Sequence, residues 1–146
     1  MRELYFRAMH RIELMTWKEA RAHAAPIRVG VFVDEQGVPP ELEMDEMDAK
    51  CIHAVAFEGT RPVGTGRLLP DGHIGRMAVL KEFRRRGVGG SILEKLMEAA
   101  RRRGDREAAL SAQVRALSFY RRHGFEPVGA VYEEAGIPHQ AMRRPL

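Results

Sequence analysis

Eight consecutive residues, Arg84-Arg85-Arg86-Gly87-Val88-Gly89-Gly90-Ser91, combine three cations with three glycines where a strand pattern gives way to a helical one. The first turn of a helix leaves backbone N–H groups without partners, and with the helix dipole they attract an anion. Gly87 and Gly89 allow the backbone to come close to a ligand, and the arginines can pair with phosphate oxygens. A diphosphate suits such a place. The same residues also fit a tight strand-to-helix turn with solvated arginines, and the turn alone does not separate the two. Two other phosphate loops fit worse: G-x-x-x-x-G-K-[ST] is absent, and G-x-G-x-x-G would need a glycine where Ile92 stands.

Cys51, the only cysteine, lies in an apolar run from Cys51 to Phe57, where a cysteine acts as a small hydrophobe rather than a nucleophile. One cysteine permits neither an internal disulfide nor a thiolate zinc cluster, and a reducing compartment fits best. His53, within the alternating strand pattern, reads as packed or hydrogen-bonded. No metal role is assigned to it or to His139.

The elements that position these residues follow from periodicity. Loose alternation from Arg7 to Met15 reads as an opening strand, with Thr16 able to cap a helix from Trp17. Pro26 is expected to break or restart that helix, with Ile27, Val29, Val31, Phe32 and Val33 anchoring a second piece. Gln36 to Pro40 is turn chemistry, and Glu41 to Lys50 reads as an acidic loop of solvated carboxylates. Strands are expected at Cys51–Glu58, Pro62–Leu69 and His73–Val79, an antiparallel meander. A helix from Val88 to Arg103 carries Leu93, Leu96, Met97 and Ala100 on one face and is closed by Gly104. A strand (Glu107–Ala112), a helix (Val114–His123) and terminal strands (Phe125–Tyr132, Gln140–Arg143) complete the order. The expected fold is α+β, a mixed, mostly antiparallel sheet covered by helices.

The chain of 146 residues suits one domain over 1–146. Apolar residues at 45% and charged residues at 30% fit a globular protein rather than a disordered one. The N-terminus is charged from the start, as a signal peptide is not, and no stretch approaches the ~20 apolar residues of a membrane span, so a cytoplasmic location is expected. The net charge of +4 favours anionic partners, a phosphorylated cofactor or nucleic acid. For a nucleic-acid module the basic clusters Arg84–Arg86 and Arg101–Arg103 flank opposite ends of one helix, whose length also carries Glu94 and Glu98. A groove-reading helix would instead line its exposed face with cations.

Arg84, Gly87 and Gly89 form R-x-x-G-x-G, which resembles the acetyl-CoA diphosphate signature of GNAT N-acetyltransferases. Downstream, Ala116-Leu117-Ser118-Phe119-Tyr120-Arg121-Arg122-His123-Gly124-Phe125 resembles that family's A-x-x-F-Y-x-x-x-G-F block. Upstream, Val31-Phe32-Val33-Asp34-Glu35-Gln36-Gly37-Val38-Pro39 and the acidic loop through Asp48 are similar to a bacterial subfamily mostly without assigned substrates.

The resemblance implies a GNAT-like acyl-CoA N-acyltransferase fold and transfer of the acetyl group of acetyl-CoA to a small-molecule or peptide amine by direct attack in a ternary complex. It implies that backbone at Met77, Ala78 and Val79 pairs with pantetheine, and that Arg84, Arg85, Arg86, Gly87, Val88, Gly89, Gly90 and Ser91 hold the diphosphate. Gln113 stands where many members carry a cofactor-touching asparagine. Tyr120 occupies the position of the acid toward the departing thiolate, although an aromatic beside Phe119 also reads as packing. An amine must lose its proton before attack, and a lysine-like pKa near 10.4 leaves only about one in a thousand neutral at pH 7. Candidate bases are Glu35 first, then Glu43, Asp45 and His139. A non-catalytic CoA sensor of the same fold is the alternative, and the chain is expected to be a monomer or homodimer.

Overall fold

A computed structural model describes residues 10–146. The residues of the opening strand before His10, and the charged N-terminus, lie outside the described part.

Among the described residues seven strands form two sheets, ordered β1-β2-β3-β4 and β5-β7-β6. The first holds β1 (His10–Met15), β2 (Ile52–Glu58), β3 (Arg61–Leu68) and β4 (Ile74–Val79), each antiparallel to its neighbour. The second holds β5 (Glu107–Gln113), β6 (Glu126–Glu134) and β7 (Ile137–Pro145), with β7 central and antiparallel to both neighbours. The meander is as the turn chemistry predicts. The last strand is longer than the expected Gln140–Arg143, extending at both ends to Ile137–Pro145.

Strand β2 serves two helices, since successive side chains point to opposite faces. Val55 and Phe57 of β2 meet α1 (Trp17–Arg28) through Ala20, while Ala54 and Ala56 meet the main core under α3 (Val88–Arg103). The boundaries of α3 match the apolar period, and Gly104 ends it in a left-handed conformation (φ 92°). Its contact with β3 is made at glycines. A Cβ on Gly64 would lie 2.9 Å from Ile92 Cδ1, and one on Gly66 would lie 2.6 Å from Met77 Sδ.

Pro26 does not break α1, which runs through it and continues as a π-helical stretch over Val29–Glu35. A proline inside a helix forfeits one N–H donor and costs about 3 kcal/mol. Burial offsets that cost, since Ala20, Ala24, Ile27 and Val31 are all buried, the last two against Ala78 of β4. The acidic loop is also ordered, into a single turn α2 (Pro40–Glu43) and a 3₁₀ segment (Glu46–Lys50). The predicted helix after β5 starts as a 3₁₀ turn (Val114–Ala116) before α4 (Leu117–Arg122).

The two sheets touch where β4 and β5 begin. A parallel bridge joins His73 to Ala109, and Ala109 N–H donates to Gly72 O at 3.2 Å. Beyond that bridge no ladder connects β4 to β5, so the strands separate. A register break between Thr65 and Arg67 and the left-handed backbone of Arg76 (φ 48°) lie beside the opening. Among the described residues no helix is long and apolar enough to cross a membrane.

Candidate functional site

The gap between β4 and β5 opens into a cleft of about 2030 Å³. Its walls include Met77, Ala78 and Val79 of β4, Arg84, Arg85 and Gly87 of the following loop, and Val88, Gly89, Gly90 and Ser91 of α3. Gln113, Tyr120, Glu35 and His139 line it too. Nearly every residue singled out in the sequence thus shares one cavity.

Asp45 lies outside its lining, and so does Arg86. Arg86 turns to the Phe83 ring (5.4 Å) and toward Glu58 (3.9 Å), so the diphosphate expectation does not extend to its side chain. Arg84 is also spent on the protein. Its two terminal nitrogens donate to Glu35 at 3.0 and 2.8 Å, and its Nε donates to Val79 O at 2.9 Å. Of the three arginines, Arg85 alone lines the cleft without a carboxylate partner among the described residues.

The start of α3 is built for an anion. Arg85 and Gly87 both have positive φ (63° and 79°), which reverses the chain sharply, and no side chain caps the helix. Ser91 N–H is the donor that returns to Gly87 O (3.0 Å), so the N–H groups ahead of it have no intrahelical acceptor. Gly89 leaves the surface open, with the nearest atom to a Cβ there being Phe119 Cζ at 3.5 Å. His123 was not singled out as a site residue, yet its ring comes within 3.1 Å of a Gly90 Cβ position, and its Nδ1 meets Glu94 at 3.1 Å.

Tyr120 packs edge-on to Phe119 and Phe125 and faces the cleft. Burial pushes its pKa up to about 12, so it is a hydrogen-bond donor across the physiological range. Gln113 Nε2 donates to Gln36 Oε1 at 2.9 Å, and Arg115 Nε donates to Gln113 Oε1 at 2.9 Å. That amide ties β5 to the end of the π-helical stretch across the cleft.

The candidate carboxylates are less available than a solvated loop would make them. Both oxygens of Glu35 accept from Arg84, so work as a base would require breaking two charge-assisted bonds. Glu43 is buried with Arg28 Nε on its Oε1. Asp48 is buried as well, accepting from Arg28 at 2.8 and 3.1 Å and from Arg67 at 2.9 Å. Asp45 accepts from Arg67 at 2.7 and 2.8 Å and from Arg76 at 3.2 Å. Its hydrogen bond with Arg67 outweighs the effect of burial and holds the carboxyl down to about 2. Burial opposes the charge of Arg67, yet Asp45 and Asp48 push its pKa up overall; burial, aided by Arg67, lowers that of Arg76. Three arginines from α1, β3 and β4 therefore pin the acidic segment beside the cleft. They come from three separate elements, so no local pattern announces the cluster.

His53 is packed against Trp17 with Nε2 2.8 Å from Asp48 O, and burial lowers its pKa.

A sheet split in two, with a helix N-terminus and a tyrosine facing the split, defines the acyl-CoA N-acyltransferase class of fold. Residues 21–146 match the family model described as an acetyltransferase (GNAT) domain, and the chain belongs to that family. The uncharacterized N-acetyltransferase YjcF of Bacillus subtilis is 41% identical over 122 residues, 81% of this chain and 87% of YjcF. Among solved structures, an acyl-CoA N-acyltransferase from Pseudomonas aeruginosa has 30% identity and a TM-score of 0.82, over 92% of this chain and 99% of that one. Escherichia coli ElaA has 29% identity and a TM-score of 0.82, over 93% and 99%.

Proposed function

We propose that this protein transfers the acetyl group of acetyl-CoA to a primary amine by direct attack in a ternary complex, acting as one domain. The observation that carries the reading is the shared cleft, in which the unpaired edge of β4, the uncapped start of α3 and Tyr120 face one another. Ordinary small-ligand pockets measure about 300–1,000 Å³, and a cleft of about 2030 Å³ leaves room for two substrates at once.

In this reading pantetheine adds as a strand to the backbone of Met77 and Ala78, as peptides add to open sheet edges. The Val79 carbonyl is less available because Arg84 holds it. The diphosphate sits on the N–H groups of Val88, Gly89 and Gly90, with Arg85 as its cation. A backbone N–H of β4 near Met77 steadies the oxyanion of the tetrahedral intermediate. Tyr120 donates a hydrogen bond to the sulfur as the C–S bond breaks. Arg84 and Glu35 act as a strut joining the α1 extension to the loop, which shapes the site without touching the reacting atoms.

Thiol release from acetyl-CoA, followed against a panel of primary amines, tests the reading. Release is expected only when both substrates are present. Binding of acetyl-CoA without release would overturn transfer and leave a CoA-binding sensor, and release unaffected by any amine would overturn it in favour of thioester hydrolysis.

A further inference from the structure

While the candidate carboxylates are engaged by arginine, His139 on the cleft wall has one ring nitrogen on a backbone carbonyl and the other facing Glu134. Ala135 and Gly136 both take positive φ (52° and 75°), a two-residue hairpin turn that sets Glu134 of β6 opposite Ile137 of β7. Alternation from that turn puts Tyr132 and Glu134 on one face of the sheet together with Ile137 and His139. The register of β5 then places Gln113 directly opposite His139. His139 is 7% exposed and lines the cleft.

Its tautomer follows from its partner. A carbonyl oxygen only accepts, so the Nδ1 atom 2.7 Å from Ile137 O carries the hydrogen, and the neutral ring keeps its lone pair on Nε2. Nε2 lies 3.4 Å from Glu134 Oε2. Ionisable groups near it are Glu134 and the stacked Tyr132 ring (6.2 Å) on β6 and, beyond Gln113, Arg115 in the 3₁₀ turn after β5; Gln36 approaches Gln113 from the helix side.

We propose that His139 is the base that deprotonates the acceptor amine, with Glu134 as a positioning residue that steadies the imidazolium. The proposal rests on the transferase reading above. The acceptor ammonium gives one proton to Nε2, and the freed nitrogen pair forms the C–N bond at the thioester carbonyl. The C=O π pair moves to oxygen, then returns as the C–S bond breaks and sulfur leaves with its electrons. The second nitrogen proton ends on sulfur, and His139 releases the first to solvent. Ammonium and thioester thus give amide, thiol and one free proton.

The test compares n-butylamine, which is protonated at neutral pH, with hydroxylamine, whose nitrogen is already neutral. His139→Gln should lower kcat/KM for n-butylamine by about 10²-fold or more, with a loss at least about tenfold smaller for hydroxylamine. Exposed Glu134→Gln should lower kcat/KM for n-butylamine by more than for hydroxylamine, since only the first route forms an imidazolium for the carboxylate to steady. Equal losses with both nucleophiles or little loss with either, in His139→Gln or in Glu134→Gln, would overturn the relay while the transferase reading stands. No amine-dependent release by the parent protein with either nucleophile would overturn both.

Discussion

Tyr120 illustrates how burial changes a role assigned by position. Against a thiol of ordinary pKa near 8.5, a phenol at about 12 would release its proton some 3.5 units uphill, roughly 5 kcal/mol, so donation of a hydrogen bond costs less than full transfer. Tyr120→Phe should therefore lower kcat by about 10²-fold, the usual effect of deleting one donor to developing charge, with acetyl-CoA affinity nearly unchanged. Turnover within about threefold of the parent under chemistry-limited conditions would remove the role. The buried ions make a second residue-scale prediction. Arg28→Met leaves Glu43 and Asp48 facing each other without their shared cation, a loss of about 3–5 kcal/mol measured by urea unfolding. Asp45 adds a pH dependence of known sign. Its folded pKa lies below the unfolded value, so its stabilisation is complete above about pH 4 and is lost as pH falls toward 2. Asp45→Asn should flatten that part of the stability profile, and an unaltered acid limb would show that other carboxylates dominate it.

Helix α3 faces two constraints, one along its packing face and one at its start. Along β3 it lies so close that Gly66→Ala would place a methyl group 2.6 Å from Met77 Sδ and 3.0 Å from Leu96 Cδ1. Overpacking of this kind costs about 1–3 kcal/mol, and because Met77 also lines the cleft, acetyl-CoA affinity should fall along with stability. At the helix start the two effects should separate. Gly89→Ala meets only ordinary contacts in the protein, and replacing a helical glycine by alanine stabilises by up to about 1 kcal/mol. The same methyl group stands where a phosphate would approach. Calorimetry should find weaker acetyl-CoA binding in a protein with an equal or higher melting temperature; unchanged affinity would reduce Gly89 to a turn residue.

The whole molecule answers to its ligand by mass action. Acetyl-CoA at 100 times its dissociation constant should add about 2.7 kcal/mol to the stability of the folded state, seen as a rise in melting temperature. Pantetheine, which lacks the diphosphate, should give a much smaller rise, and an equal one would take the phosphate role from the start of α3. With an overall charge of +4 and Arg85 on the cleft, the acetyl-CoA effect should weaken as salt is raised.

Features carried by short stretches of chain were legible from sequence. The period of Leu93, Leu96, Met97 and Ala100, with Gly87 before and Gly104 after, defines α3 to its observed ends because period and caps are local signals. The turns at Gly59 and Gly72 mark the meander for the same reason, and the glycine turn with the F-Y block identifies the family. Pro26 misleads because its local cost is about 3 kcal/mol, while the burial that outweighs it comes from a sheet formed later in the chain. Glu35 meets Arg84 49 residues away, and Asp45 meets Arg67 22 residues away, so their availability as bases is a property of packing alone. The same holds for the gap between β4 and β5, which exists because pairing stops after one bridge. Nothing local sets His139 apart from the other candidate bases. Only the β7 register turns its ring into the cleft, since in a strand a shift of one residue would face it the other way.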